Sequence, residues 1–183
     1  MLGRKRSRTR QDAGIAHSLY GAIVTQARSP AFYRDFGVAD AIDGRFDLIV
    51  LHAFLLLEKL RACGAPGAAL SQEVVDLFFL DMDRSLREMG VGDMGVPRRI
   101  KTMAQSFFGR STAYRQAAAG GARAALADAI GRNLFPDLEH APPAAAALAD
   151  YVLASLAQDD GALLGGRVTF PDPLAFRPVA VAE

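Results

Sequence analysis

The stretch Asp81-Met-Asp-Arg-Ser-Leu-Arg-Glu-Met-Gly90-Val-Gly-Asp-Met-Gly-Val-Pro97-Arg-Arg-Ile100 holds a helix end, a tight turn and a new helix start. Gly90, Gly92 and Gly95 permit the turn, because glycine takes positive φ without a steric penalty. Pro97 suits the first position of the next helix, where its missing N–H costs nothing. Upstream, Val75, Phe78, Phe79, Met82, Leu86 and Met89 recur at helical spacing, which predicts a helix over about 70–89 with that stripe toward the core. Ser71 is the expected N-cap, since its hydroxyl can accept a bond from an early backbone N–H. Downstream, Ile100, Met103, Ala104, Phe107 and Phe108 form the buried stripe of the following helix.

Working outward, the rest of the chain also reads as helix. Asp12 can cap a first helix that turns Ile15, Leu19, Ala22 and Ile23 inward and ends near Ser29-Pro30. Phe32, Tyr33 and Phe36 follow, with Gly37 closing a short helical turn. Asp43-Gly44 makes a turn before a helix over about 45–62. That helix is apolar nearly all round, the pattern of an element at the centre of a bundle. Two weaker, alanine-rich helices are expected at about 121–135 and 143–158, separated at Pro142-Pro143. Alanine favours helix but buries little area. Gly165-Gly166 ends the helical part, and Val168-Thr-Phe-Pro-Asp-Pro173 is a proline-stiffened segment suited to dock on the body. The expectation is therefore an all-α, single-domain bundle of about six helices. A basic disordered arm occupies 1–11, the helical domain 12–165 and an extended C-terminal tail 166–183.

Composition agrees with a well-cored domain. The 183 residues are 51% hydrophobic and 22% charged, too apolar for disorder. The net charge of +1 hides an asymmetry. Arg4, Lys5, Arg6, Arg8 and Arg10 precede the first acid, which leaves 16 bases against 20 acids in the remainder, a net of −4. A basic arm on a mildly acidic body suits an anionic contact such as RNA or lipid headgroups, or is simply a solvated terminus. With no tryptophan and few aromatics among its basic residues, the chain has no stacking platform for nucleic acid, and no specific DNA binding is expected. Cys63 stands alone, which fits a reducing compartment and a small buried thiol. No signal-peptide core follows the arm. The longest apolar run, 48–57, is broken by His52 and falls short of the ~20 residues a membrane span requires.

Several constellations read as structural. Asp81 and Asp83 point apart on a helix, and no calcium-loop order is present, so no metal is expected around Asp76, Asp81, Asp83 and Asp93. Asp83 with Arg87, and Arg84 with Glu88, are spaced to pair along the helix. Arg98, Arg99 and Lys101 oppose the dipole of their helix, which calls for pairing with Asp81, Asp93 or another acid, or for an outside anion. His52 is expected to be a hydrogen-bonded core histidine. His17, His52 and His140 are too scattered to define a metal set. No phosphate loop, nucleophile elbow or paired catalytic carboxylates occur, so no cofactor and no enzymatic role are expected.

Taken with Phe32-Tyr-Arg-Asp-Phe-Gly-Val38, Asp43-Gly-Arg-Phe-Asp47 and Leu51-His52, the 81–100 stretch resembles the ubiquinol–cytochrome c chaperone family. The resemblance covers roughly residues 15–115. It implies an assembly chaperone that binds newly made cytochrome b during biogenesis of ubiquinol–cytochrome c reductase (complex III). Related eukaryotic proteins work with a small partner subunit, which makes such a subunit a candidate second partner. A bacterial cytoplasmic setting, peripheral to the inner face of the inner membrane, is the expected location. A mitochondrial presequence would share the Arg-rich start, but the resemblance begins too soon after it. Within that reading, Leu77 and Leu80, which interrupt a polar helix face, are client-contact residues together with Arg84, Arg87, Arg98, Arg99 and Lys101. Arg4, Lys5, Arg6, Arg8 and Arg10 are the anionic-surface contacts. The rival function is a ribosome- or RNA-associated regulator of cytochrome b synthesis that works through this arm, with steep salt dependence.

Overall fold

The computed structural model describes residues 2–158 and 161–178, with side chains from Ala13 onward. Helices α1 (Leu2–Ala27), α2 (Pro30–Arg34), α3 (Ile42–Arg61), α4 (Gly64–Glu88), α5 (Val96–Ala119), α6 (Arg123–Leu134) and α7 (Pro143–Ala157) follow in order. Two 3₁₀ turns, Leu163–Gly165 and Pro173–Phe176, end the described chain. Six of the α-helices run 12 residues or more, and the described residues hold no strand. The all-α bundle is the fold.

α3 is the axis. Leu48, Val50, Leu51, Leu55, Leu56 and Leu60 are wholly buried, and α1, α4, α5, α6 and α7 all pack against it. Burying each such side chain contributes about 1.5–3 kcal/mol against the entropy of ordering the chain. A helix apolar on every face has nowhere else to go.

The helix starts depart from the sequence reading in informative ways. α1 runs from Leu2, so Asp12 lies within it rather than capping it. The five basic residues of the arm have side chains outside the described residues. α3 starts at Ile42, which places Asp43-Gly44 in its first turn. Gly44 serves close approach there: a Cβ would lie 2.1 Å from the Ala39 carbonyl oxygen. α4 begins at Gly64, so Ser71 is interior and caps nothing. The Gly64-Ala-Pro-Gly67 run reads as loop, yet Pro66 is tolerated in a first turn.

The buried row of α4 is Leu70, Val74, Phe78, Met82 and Leu86, spaced four apart. Val75 and Phe79 flank it half-buried, and Met89 is 49% exposed. The displacement of Met89 has a local cause. Gly90 takes φ 81°, and the Gly90 and Val91 amides donate to the Arg87 and Leu86 carbonyls, closing a Schellman cap. That cap turns the chain at Met89, away from the α3 face. Phe108, expected inside, is 55% exposed beside the half-buried Phe79.

A buried polar contact joins the ends of the chain. His52 Nδ1–H donates to the Leu48 carbonyl, and the Tyr151 hydroxyl donates to His52 Nε2, each at 2.8 Å. Gln26 Nε2 donates to the Tyr151 oxygen at 3.1 Å and to the Pro171 carbonyl at 3.2 Å. Phe170 packs edge-on against His52, Phe176 against Tyr151, and Phe32 against both. One cluster thus holds α1, α2, α3, α7 and the tail. Tyr151→Phe leaves the His52 acceptor unpaired and releases Gln26 from the ring oxygen. Such losses cost about 1–3 kcal/mol each, so the variant unfolds at lower temperature than the parent. Limited proteolysis should also cut the 166–178 segment sooner; an unchanged cleavage rate would separate tail docking from this bond.

Candidate functional site

The N-terminal turns of α3, the end of α4 and the first half of α5 enclose a groove of about 600 Å³. Phe46, Leu86 and Met103 supply apolar lining, with Ile42, 64% exposed, also on the wall. Arg98, Arg99 and Thr102 from α5 form a polar side. Thr102 is held by donating its hydroxyl to the Arg98 carbonyl. The Schellman turn at Gly90 and the start of α5 at Val96 direct the α5 arginines back over the end of α4.

Asp47 and Arg110 line the same groove, and both were missed from sequence. Asp47 is buried in the most apolar helix of the chain. Arg110 Nη2 lies 3.0 Å from its Oδ1, and the guanidinium sits 5.5 Å from the centre of the Phe46 ring. The pair is close but poorly aligned: neither Asp47 Oδ1 nor Arg110 Nε has a hydrogen-bond partner among the described residues. Ser111 Oγ nearby on α5 is likewise without a partner among the described residues. Burial pushes the Asp47 carboxyl up to about 7, against the pull of Arg110 and with a small push from Asp43. The sequence signals for Asp47 were its place at the end of the Asp43–Asp47 motif and directly before a long apolar run. Its partner is 63 residues away and leaves no local pattern.

The residues expected to make contacts fall in different surroundings. Arg98 and Arg99 reach the groove, while Lys101 is exposed outside it. None of the three has an ion-pair partner among the described residues. The acids expected to neutralise them are engaged elsewhere: Asp81 accepts from Tyr20 at 2.8 Å, and Asp93 pairs with Arg87. The expectation of internal pairing is therefore corrected, because the turn carries Asp93 back toward α4. Arg87 also binds Asp83, and Arg84 binds Glu88 at 2.8 Å, so these two arginines are committed within α4. Leu80 is 66% exposed, whereas Leu77 is half-buried against the core. The five arm residues lie where side chains are not described. Among the described residues, no group of three His, Cys, Asp or Glu side chains could hold a metal. No helix there is long and apolar enough to cross a membrane.

Two buried titrating groups act in opposite directions. Burial lowers His52 from 6.5 to about 4. Between those values the unfolded chain binds the extra proton, so His52 makes stability rise with pH. Asp47, raised to about 7 from 3.8, is protonated in the fold while ionised in the unfolded chain, so it makes stability fall as pH rises through that window. The slopes offset each other between about pH 4 and 6.5, and above that only the Asp47 slope remains. Asp47→Asn should expose the rising slope, and His52→Gln the falling one, in thermal melts across pH 4–7. Parallel profiles for both variants and the parent would remove these groups from the pH response.

The sequence profile of the ubiquinol–cytochrome c chaperone family matches residues 34–168, about three quarters of the chain. The match includes the alanine-rich helices α6 and α7, which lie wholly beyond the 15–115 stretch that carries the resemblance. A crystal structure of the Cbp3 homolog from Brucella abortus is 39% identical, with a TM-score of 0.82. That likeness covers 94% of this chain and 97% of the other. No curated protein matches. With its family motifs built into the bundle and its whole fold shared with that homolog, the chain belongs to the ubiquinol–cytochrome c chaperone family.

Proposed function

We propose that this chaperone binds newly made cytochrome b and shelters an apolar segment of it in the α3–α4–α5 groove until haem and later subunits arrive. The observation that carries the reading is the groove's composition: apolar lining beside two arginines that no described acid neutralises. Transmembrane segments expose apolar surface that aggregates in water, and an amphipathic segment seats its apolar face in such a groove. Arg98 and Arg99 would meet its polar edge or its acidic flank. The exposed Leu80 and Phe108, with Met94 at 97% exposure on the turn, extend apolar contact outside the groove. The action is binding, without a chemical step. The arm residues would hold the chaperone near anionic lipid or the ribosome, on the cytoplasmic face of a bacterial inner membrane, with a small subunit as a second partner.

The test is photocrosslinking in cells making complex III, with the reactive residue at Thr102 in the groove, at Leu80 outside it, or at Arg6 on the arm. Captured proteins are identified by mass. A cytochrome b adduct at Thr102 supports the groove, and one at Leu80 alone moves the client to the outer face of α4. Ribosomal adducts at Arg6 with none of cytochrome b favour the regulator of synthesis. Replacing Arg98 and Arg99 together by Gln should reduce the Thr102 adduct several-fold. It should not lower the melting temperature at low salt, because it removes two charges that oppose the α5 dipole.

A further inference from the structure

A second concavity lies apart from the groove, where α1 ends and α2 and α3 begin. Arg28, Pro30, Tyr33, Arg34, Asp40 and Arg45 line about 570 Å³ there. Arg34 and Tyr33 come from the Phe32–Val38 motif, and Arg45 comes from the Asp43–Asp47 motif. Two of the stretches that carry the family resemblance therefore meet at a hollow that the client-binding reading does not use.

Three guanidinium groups share this hollow with one carboxylate. Arg45 gives only its Nε to Asp40, at 2.7 Å. Its terminal nitrogens have no partner among the described residues, and Arg28 and Arg34 make no ion pair there. The local excess of two positive charges stands against a body whose net charge, leaving out the basic start, is −4. The hollow is braced from behind. The Tyr33 hydroxyl donates to the Ala27 carbonyl at 2.8 Å, tying α2 to the end of α1, while Ala31 and Phe32 anchor α2 in the core. Arginine presents paired N–H donors that match the oxygens of a phosphate. A concave site of this volume falls in the range that holds small ligands.

We infer that the Arg28–Arg34–Arg45 hollow binds a phosphate group, carried by a small molecule or by a phospholipid headgroup. The groove then handles the protein client and this hollow handles an anion, so either function can fail without the other.

The test uses the full-length chain. Its arginine side-chain N–H signals are followed by NMR during titration with inorganic phosphate, beside chloride at equal ionic strength. Flotation is run with vesicles of phosphatidylglycerol in phosphatidylcholine, or of phosphatidylcholine alone. Phosphate should move the signals of Arg28, Arg34 and Arg45 and leave Arg98 and Arg99 in place. Arg34→Ser with Arg45→Ser, both at exposed positions, should weaken phosphate binding about tenfold or more. A matching loss of phosphatidylglycerol flotation in this variant assigns a lipid headgroup. Phosphate binding without such a loss assigns a free phosphate-bearing ligand. Flotation on phosphatidylglycerol lost in the variant, with no response to free phosphate, again assigns the headgroup. If phosphate moves none of the three signals and the variant floats like the parent, or if chloride has the same effect as phosphate, the inference fails. Arg28→Ser is the check on folding: it should give the same circular dichroism as the parent and a partial loss.

Discussion

The hydrogen bond between the Tyr151 hydroxyl and His52 Nε2 is the constraint on which the assembly turns. A histidine at the middle of a buried helix is tolerable only if both ring nitrogens are satisfied without a charge. Leu48 on the same helix satisfies one. Only a donor from another element can satisfy the other, which fixes the register of α7 against α3. The same hydroxyl then accepts from Gln26, whose second bond to Pro171 brings in the tail. Three phenylalanine rings, Phe32, Phe170 and Phe176, surround the pair and exclude the water that would otherwise compete. Because α3 is anchored in this way at its middle, its N-terminal turns project toward the end of α4, and the groove forms there.

Within the groove, stability and recognition pull in different directions. A buried carboxylate with a misaligned partner, and two arginines set against a helix dipole, are all features a maximally stable bundle would avoid. Proteins retain such features where another molecule supplies the missing partners. The outer surface of α4 is different: Arg84 and Arg87 are already paired with acids of the same helix or its turn. A charge that has found its counter-ion has less to offer a client. The distinction between the satisfied arginines of α4 and the unsatisfied ones of α5 is therefore chemical as well as positional.

Much of the architecture was legible from periodicity. The all-round apolar pattern of 45–62 placed that helix at the centre, and the core role of His52 followed from its neighbours. Boundaries were less legible. Gly64-Ala-Pro-Gly67 is a helix start that looks like a loop; in the buried row of α4 the expected Phe78, Met82 and Leu86 are joined by Leu70 and Val74, with Val75, Phe79 and Met89 outside it. The i,i+4 pairs Asp83–Arg87 and Arg84–Glu88 formed as their spacing required. Arg98 and Arg99 were correctly singled out as charges in an unfavourable place, but the acids thought to balance them were bound elsewhere.

Local order in the chain determined what depends on neighbours three or four residues apart: the helices, the Gly90 turn, the ion pairs along α4 and the motifs of the family. Tertiary structure alone decided which unlike residues meet across 63, 99 and 125 positions, as Asp47 meets Arg110, His52 meets Tyr151 and Gln26 meets Tyr151. Helical periodicity reports which face of a helix is apolar. It carries no information about which polar group on a distant helix will stand opposite a buried one, because that is set by how the cylinders pack.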